Sequence, residues 1–175
     1  MRYVVLFVMA MLSVILQCSV FTTMPLFGVQ LDLVLLLMAG LIMAEKTMTP
    51  LYYFVLCALY MDVLFAEAIG YYTLPYAVAG LFVYLVARRV GSQFKLWLAP
   101  LLTGLAWIVK ELVGAFIAAC FGYRFDFLSI FLSNTLLGAL IMAALGFLVY
   151  LLMRKLCSAN FMRPRTAVFA DERKL

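Results

Sequence analysis

The residues of this 175-residue chain that are best placed to do chemistry are ionisable groups inside long apolar runs, namely Asp32, Asp62, Lys110 and Glu111. Gln17 is an uncharged companion in the first of those runs. A charged side chain among apolar neighbours at membrane depth costs several kcal/mol unless it is paired or hydrated. These five residues, called the polar cluster below, are therefore the first candidates for a functional site.

Two interpretations of the polar cluster stay open on the sequence alone. In the first, Lys110 pairs with Asp32 or Asp62, and the pair holds a helix bundle together. In the second, the groups line an outward-facing cavity or a groove that receives another protein. Lys110 and Glu111 are neighbours about 100° apart on a helix. We therefore expect that they do not share one partner and that Glu111 needs a donor of its own.

The chain shows no catalytic set. It contains no His, which is the commonest general base and a frequent metal ligand. The cysteine spacing fits neither a zinc site nor a disulfide framework, so we expect small buried apolar side chains at Cys18, Cys57, Cys120 and Cys157. Two acidic residues on facing helices could imitate an intramembrane aspartyl protease, but Tyr60-Met61 precede Asp62 where those enzymes carry Gly-x-Gly. We expect no enzymatic activity, metal or cofactor.

The composition indicates which elements must position the polar cluster. The sequence is 69% hydrophobic, with a mean hydropathy of +1.16, whereas soluble domains are about half apolar. A helix that crosses a bilayer needs about 20 mostly apolar residues, and only helices or closed barrels satisfy the backbone there. The apolar runs are continuous rather than alternating, which favours helices over a barrel. We therefore expect an all-α integral membrane protein.

Six apolar runs predict a bundle of six transmembrane helices, at 3–24, 30–44, 51–66, 73–87, 96–121 and 127–153. The short loops between them leave room for one domain, 1–153, followed by a basic cytoplasmic tail, 154–175. The first run is too long for the apolar part of a signal peptide, and no A-x-A cleavage site follows it. We interpret it as a retained helix.

The basic residues are divided unevenly between the two sides of such a bundle. With six spans, one side carries eleven of them, at Arg2, Lys46, Arg88, Arg89, Lys95, Arg154, Lys155, Arg163, Arg165, Arg173 and Lys174. The opposite loops carry only Arg124. An excess of Lys and Arg marks the cytoplasmic side, so both termini are predicted to be cytoplasmic. The polar cluster then falls in the outer half of the bilayer, with Glu67, Arg124 and Asp126 above it.

Three further patterns describe the surface of the predicted bundle. Anionic lipid, or an acidic cytoplasmic partner, would contact basic residues at Arg88, Arg89, Lys95, Arg154 and Lys155. Aromatic rings near helix ends would anchor the chain at the interface, at Tyr52, Tyr53, Tyr71, Tyr72, Tyr76, Trp97 and Tyr123. Close helix packing, within the bundle or in a homodimer, is predicted by small residues four apart: Gly40 and Ala44, Gly114 and Ala118, Ala115 and Ala119, Ala139 and Ala143.

Several landmarks occur together in an order that is typical of one bacterial family. Leu16-Gln17 near the end of the first predicted helix is followed by Pro25. Leu31-Asp32-Leu33 opens the second helix, with Leu31 where the family usually has Pro. With these and the landmarks of the later helices, the chain resembles the rod shape-determining protein MreD family over most of its length.

The later helices carry the strongest part of this resemblance. Asp62 precedes Gly70 by eight residues, and the next helix ends with Tyr84-Leu85. Glu111 matches an acidic residue often seen in the fifth helix, and a basic tail follows Leu151–Lys155. The chain departs from the family before Asp62. Family members often carry glycines four and eight residues before this aspartate, and this chain has Ala58 and Phe54 at those positions.

The resemblance implies a non-enzymatic, multi-pass protein of the bacterial inner membrane that takes part in cell elongation. Its implied partners are MreC and, through MreC, the MreB filament, the RodA glycosyltransferase and a penicillin-binding transpeptidase. No nucleic acid partner is expected. The family is also thought to share its fold with the substrate-binding subunits of energy-coupling-factor transporters.

A vitamin-binding or small-solute-binding subunit of such a transporter is the alternative function. The six helices, the small size and the outer polar cluster all allow it. Those subunits usually carry an Ala-x-x-x-Ala pair in the first helix, which docks on the energising module. Here Ala10 is followed by Val14, and Ser13 by Gln17, so the pair is missing.

Overall fold

The computed structural model describes residues 2–21, 30–45, 47–66, 68–90, 95–122 and 135–157. These ranges contain no strand, so the all-α prediction is confirmed for them. A π-helical turn, Gln17–Phe21, directly continues the first helix. The helices are α1 (Arg2–Leu16), α2 (Leu33–Glu45), α3 (Thr49–Phe65), α4 (Thr73–Arg89), α5 (Lys95–Cys120) and α6 (Leu136–Cys157).

Some sequence predictions lie outside the described residues. They are the last part of the first predicted helix (22–24), the first part of the sixth (127–134), the tail beyond Cys157, the landmark Pro25, the predicted anchor Tyr123, and the charges at Lys46, Glu67, Arg124 and Asp126. Most of the described helix ends differ from the prediction by one or two residues, and two differ by more. α2 begins at Leu33 rather than at residue 30. α6 continues to Cys157, so Arg154 and Lys155 lie in its last turn.

α2 is the central helix of the bundle. It contacts α1, α3, α4, α5 and α6, and its residues from Val34 to Met43 are buried except Leu37. A helix that is apolar on every side has no polar face that could be exposed to water, so its position in the bundle is central, surrounded by the other helices. Around α2 the neighbouring pairs are α1 with α3, α3 with α4, α4 with α5, and α5 with α6.

α2 and α4 run in the same direction. Near their starts, the hydroxyl of Tyr76 contacts the carboxylate of Asp32, the residue before α2. Between one and two turns further along the two helices, a Cβ added at Gly80 would lie 2.9 Å from Met38 Sδ. The last turn of α4 therefore lies at the same end of the bundle as the last turn of α2.

α6 runs in the same direction as α2, and α5 runs in the opposite direction. Cys157 Sγ, at the end of α6, lies 4.0 Å from Glu45 Oε1, at the end of α2. On α5, Thr103 lies beside Gly146, whereas the later residue Trp107 lies beside the earlier Gly138. The first turn of α5 and the last turns of α2, α4 and α6 therefore share one end, called the basic end below.

Two helices, Trp97–Cys120 within α5 and Leu136–Cys157, are long and apolar enough to cross a membrane. The apolar segments Tyr3–Ser19, Leu33–Glu45 and Thr49–Phe65 are shorter. With 13 residues, α2 rises about 20 Å, less than the ~30 Å hydrocarbon core of a bilayer. The outer faces of the bundle carry exposed apolar side chains, such as Val63 (64% exposed), Leu140 (68%) and Phe116 (70%).

The small-residue pairs predicted from the sequence have different surroundings. The predicted pair Ala139 and Ala143 on α6 packs closely against Gly104 of α5. A Cβ added at Gly104 would lie 3.1 Å from the carbonyl oxygen of Ala139 and 3.3 Å from Ala143 Cβ. Gly40 packs against Val149 of α6 in the same manner. A Cβ added at Gly114 would meet no heavy atom within 4 Å among the described residues. This glycine therefore has no close neighbour among the described helices.

Candidate functional site

Asp32 joins three helices at the end of the bundle opposite the basic end. Its Oδ1 accepts a 2.9 Å hydrogen bond from the backbone N–H of Leu35. This is the bond by which an Asp caps a helix start, and it explains why α2 begins at Leu33. Its Oδ2 accepts 2.8 Å bonds from the hydroxyl of Tyr76 on α4 and from Lys110 Nζ on α5. Asp32 is 1% exposed, so these partners replace water around its charge.

Lys110 contacts both of the carboxylates near it. Its Nζ lies 2.8 Å from Asp32 Oδ2 and 3.0 Å from Glu111 Oε1. The expectation that Glu111 needs a separate donor is therefore wrong, because the flexible stem of Lys110 lets one ammonium reach both acids. The ammonium also lies 4.2 Å from the ring centroid of Trp107 and 5.6 Å from that of Tyr76, in cation–π range. Asp32, Lys110 and Glu111 are called the ion triad below.

Gln17 fixes the chain on both sides of Asp32. Its Nε2 donates a 2.8 Å hydrogen bond to the carbonyl of Leu31, and its Oε1 accepts a 2.8 Å bond from the N–H of Leu33. One amide side chain thus pairs with a backbone donor and a backbone acceptor that flank the helix start. The end of α1 is held in this way against the start of α2, and Asp32 is held in place between them.

Asp62 belongs to a separate corner between α3 and α4. Its carboxylate accepts backbone N–H bonds from Gly70 (2.8 Å), Tyr72 (2.6 Å) and Thr73 (3.1 Å), and a further bond from the Thr73 hydroxyl. Gly70 has φ +108°, a conformation that residues with a Cβ rarely adopt. The eight-residue spacing from Asp62 to Gly70 therefore has a structural reason. Lys110 pairs with Asp32 rather than with Asp62.

A cavity of about 750 Å³ opens beside the ion triad. Its polar lining comes from Gln17, Gln30, Asp32, Lys110 and Glu111. Its aromatic lining comes from Phe65, Tyr71, Tyr72, Tyr76 and Trp107. The two interpretations of the polar cluster are thus compatible, because the triad joins three helices and also lines a cavity.

One face of α5 forms the wall of this cavity. Glu111, Gly114, Ala115 and Ala118 all line it, and their spacing of three, four and seven residues places them on one side of a helix. The small residues leave the volume open. Glu111 lies at the edge of this space, with 36% of its side chain exposed.

Comparisons of the chain with protein-family models, with curated proteins and with solved structures found no match. Within the ranges that the structure describes, no group of three or more His, Cys, Asp and Glu residues could hold a metal ion. The site must therefore be interpreted from its own geometry and from the residues that line it.

Sequence reasoning missed two contributors to the site. The sequence predicts an interfacial anchor at Tyr76, but this residue is 4% exposed and its hydroxyl donates a hydrogen bond to Asp32. Trp107, which lies under Lys110, was not singled out, although its position three residues before Lys110 places both on one helix face. That spacing is the signal that could have identified it. In contrast, Tyr52 (63% exposed) and Trp97 (85%) do lie on the surface.

The predicted cytoplasmic contacts lie at the basic end. Arg88 and Arg89 occupy the last turn of α4, and Arg154 and Lys155 that of α6. All four side chains are exposed, and cations near helix C-termini interact favourably with the helix dipole. Lys95 opens α5 at the same end, and its side chain lies outside the described part of the structure. The basic residues and the ion triad are thus separated along the length of the bundle.

Proposed function

We propose that the chain is a six-span protein of the bacterial inner membrane, with the basic end in the cytoplasm and the cavity toward the outer leaflet. Two helices of sufficient length support this, and so do the exposed apolar faces of α3, α5 and α6. Apolar surface of this extent is unfavourable in water and favourable in lipid. The grouping of exposed Arg and Lys at the other end agrees with the distribution expected of a cytoplasmic side.

Labelling of single cysteines tests this topology. In a variant without its four native cysteines, Phe121→Cys places a thiol at the cavity end of α5, and Arg89→Cys places one at the basic end. A maleimide that cannot cross membranes should label the first in intact spheroplasts and the second only after permeabilisation. Labelling of Arg89→Cys from outside would contradict the proposed orientation.

Within this orientation, the function that the chain supports best is a non-enzymatic scaffold of the cell-elongation machinery, as the MreD resemblance implies. The observation that carries this proposal is the shared role of the landmark residues. Gln17, Asp32, Asp62 and Gly70 make the hydrogen bonds that hold the cavity end together. Gln17 and Asp32 do so at the start of α2, and Asp62 and Gly70 do so at the separate corner between α3 and α4, which supports the proposal that these landmarks have structural roles.

The proposed partners divide between the two ends of the bundle. The single membrane helix of MreC and its adjoining segment would bind at the outer faces and the cavity end. The exposed cations at Arg88, Arg89, Arg154 and Lys155, together with Lys95, would face the MreB filament and anionic lipid. RodA and its penicillin-binding transpeptidase would be reached through MreC.

Two measurements test the scaffold proposal. Deleting the gene in its host should turn rod-shaped cells into spheres, and the full-length chain should restore the rods. The tagged chain should recover MreC from solubilised membranes, and a tagged six-span protein of similar size is the control. Normal rods after deletion, or recovery of MreC no better than with the control protein, would remove the scaffold role.

A solute-binding subunit of an energy-coupling-factor transporter is the second candidate, and the cavity is the observation that favours it. A volume of about 750 Å³ lies in the range of small-molecule sites. A thermal-shift screen of the purified chain against vitamins distinguishes the two functions. Submicromolar binding of a vitamin, together with co-purification of an ATPase module instead of MreC, would favour the transporter subunit.

A further inference from the structure

Among the described residues that line the cavity, acidic side chains outnumber basic ones. The acids are Asp32 and Glu111, and Lys110 is the single basic side chain among the described residues of the lining. Asp32 is 1% exposed and is also satisfied by Tyr76 and by the backbone of Leu35. Glu111, with 36% of its side chain exposed, is therefore the more accessible of the two acids to a ligand in the cavity.

The aromatic lining suits a cation as well. Lys110 already lies over the Trp107 ring at 4.2 Å, which shows that this space can hold an ammonium against a ring face. Phe65, Tyr71 and Tyr72 provide further rings on the lining. Gly114 lines the same cavity, and a Cβ added there would meet no described heavy atom within 4 Å, so a flat apolar body has room beside it.

We propose that this cavity binds a small organic cation, an amine with a flat apolar body, whose ammonium group pairs with Glu111 while its body packs among the aromatic side chains. An anion would be repelled by the two acidic side chains, and a neutral molecule could not form an ion pair with Glu111. The cavity volume is sufficient for a ligand of this size. The inference goes beyond the scaffold role and does not depend on it, since it concerns the chain alone.

Three probes of nearly equal shape test the charge preference. Phenethylamine is the cation, 2-phenylethanol the neutral analogue and 3-phenylpropionate the anion. Each is titrated calorimetrically into the full-length chain in detergent. Phenethylamine should bind about tenfold more tightly than the alcohol, which corresponds to ~1.4 kcal/mol, and the propionate should bind most weakly. Equal binding of the three probes, or no binding of phenethylamine up to about 10 mM, would overturn the proposal.

Two variants then locate the site. Glu111→Gln keeps the shape of the side chain and leaves Asp32 and Lys110 as a balanced pair, so the preference for phenethylamine over 2-phenylethanol should disappear. Leu112→Gln is the matched control on the next, exposed position and should keep that preference. Unchanged binding by Glu111→Gln would refute the site.

A steric variant keeps the proposal testable if Glu111→Gln does not fold. Gly114→Leu adds a side chain where a Cβ meets no described heavy atom within 4 Å, so it fills the cavity without changing its charge. Phenethylamine binding should be lost, while the elution volume and thermal midpoint stay close to those of the parent chain. Retained binding in a folded Gly114→Leu chain would show that the amine binds elsewhere.

Discussion

At the scale of single residues, Asp62 has the clearest structural role. Its carboxylate accepts three backbone N–H bonds and a hydroxyl bond, and it is 2% exposed. In Asp62→Asn, one oxygen becomes an NH₂ group that faces donors, so those donors lose their acceptor. We expect a loss of about 2–4 kcal/mol in the free energy of unfolding, measured by thermal unfolding in detergent.

Thr73→Val is a milder substitution at the same corner, because it removes one of the four hydrogen bonds to Asp62. It removes the hydroxyl donor alone and should cost about 1 kcal/mol. A thermal midpoint of Asp62→Asn equal to that of the parent chain, or lower stability for Thr73→Val than for Asp62→Asn, would be inconsistent with this role of the carboxylate.

The ion triad leads to a second prediction at this scale. Lys110→Met leaves Asp32 buried without its cation and should destabilise the fold by about 3 kcal/mol. Adding Asp32→Asn removes the uncompensated charge, so the double variant should be more stable than Lys110→Met alone. Guanidinium or thermal unfolding of the four proteins of the cycle measures this coupling. If the loss of stability in the double variant equalled the sum of the losses in the two single variants, Lys110 and Asp32 would not interact.

The sequence predicted part of this arrangement and could not predict the rest. The sequence offered, as one of two open interpretations, that Lys110 pairs with an acid, because a lone ammonium among apolar residues is costly. It could not choose between Asp32 and Asp62. That choice depends on the turn at 68–73, where Gly70 and Thr73 present N–H groups to Asp62, and on Tyr76 pointing toward Asp32. These directions are set by tertiary packing and leave no periodic signal.

At the scale of elements, apolar runs predicted the helices well and their ends less well. α2 starts late because Asp32 and Gln17 take up the backbone groups around Leu33, and α6 ends late because Arg154 and Lys155 are good helix formers. The central place of α2 was not predicted. Continuous hydrophobicity is expected of any membrane helix, and it does not show which helix the others surround.

The packing of α5 against α6 gives a prediction with an internal control. A Cβ added at Gly146 would overlap the Thr103 side chain, so Gly146→Ala should push the helices apart and cost about 1–3 kcal/mol. Gly114→Ala meets open space in the described structure and should be neutral or stabilising, by up to about 1 kcal/mol, because Ala favours helix. Thermal midpoints of both variants in one detergent check this, and a reversed order would contradict the packing.

At the scale of the whole molecule, polarity is arranged along the bundle rather than from inside to outside. The charged triad lies inside near one end, the exposed cations lie at the other, and apolar side chains cover the sides. A soluble helical protein would place polar residues on those sides. We propose lipid as the surrounding medium, because apolar sides are favourable there, and composition and charge distribution are the sequence features that point to it.

Leu148 tests that medium directly, because it is 57% exposed near the middle of the 22-residue α6. In water, replacing an exposed Leu by Arg changes stability by only about 0.5 kcal/mol. In the middle of a membrane helix the same change costs about 3 kcal/mol. Leu148→Arg should therefore sharply reduce the amount of folded chain in the membrane fraction, whereas Leu148→Ala should not. If the Arg variant accumulated to the level of the parent chain, the sides of the bundle would face water, and the six-span proposal would fail.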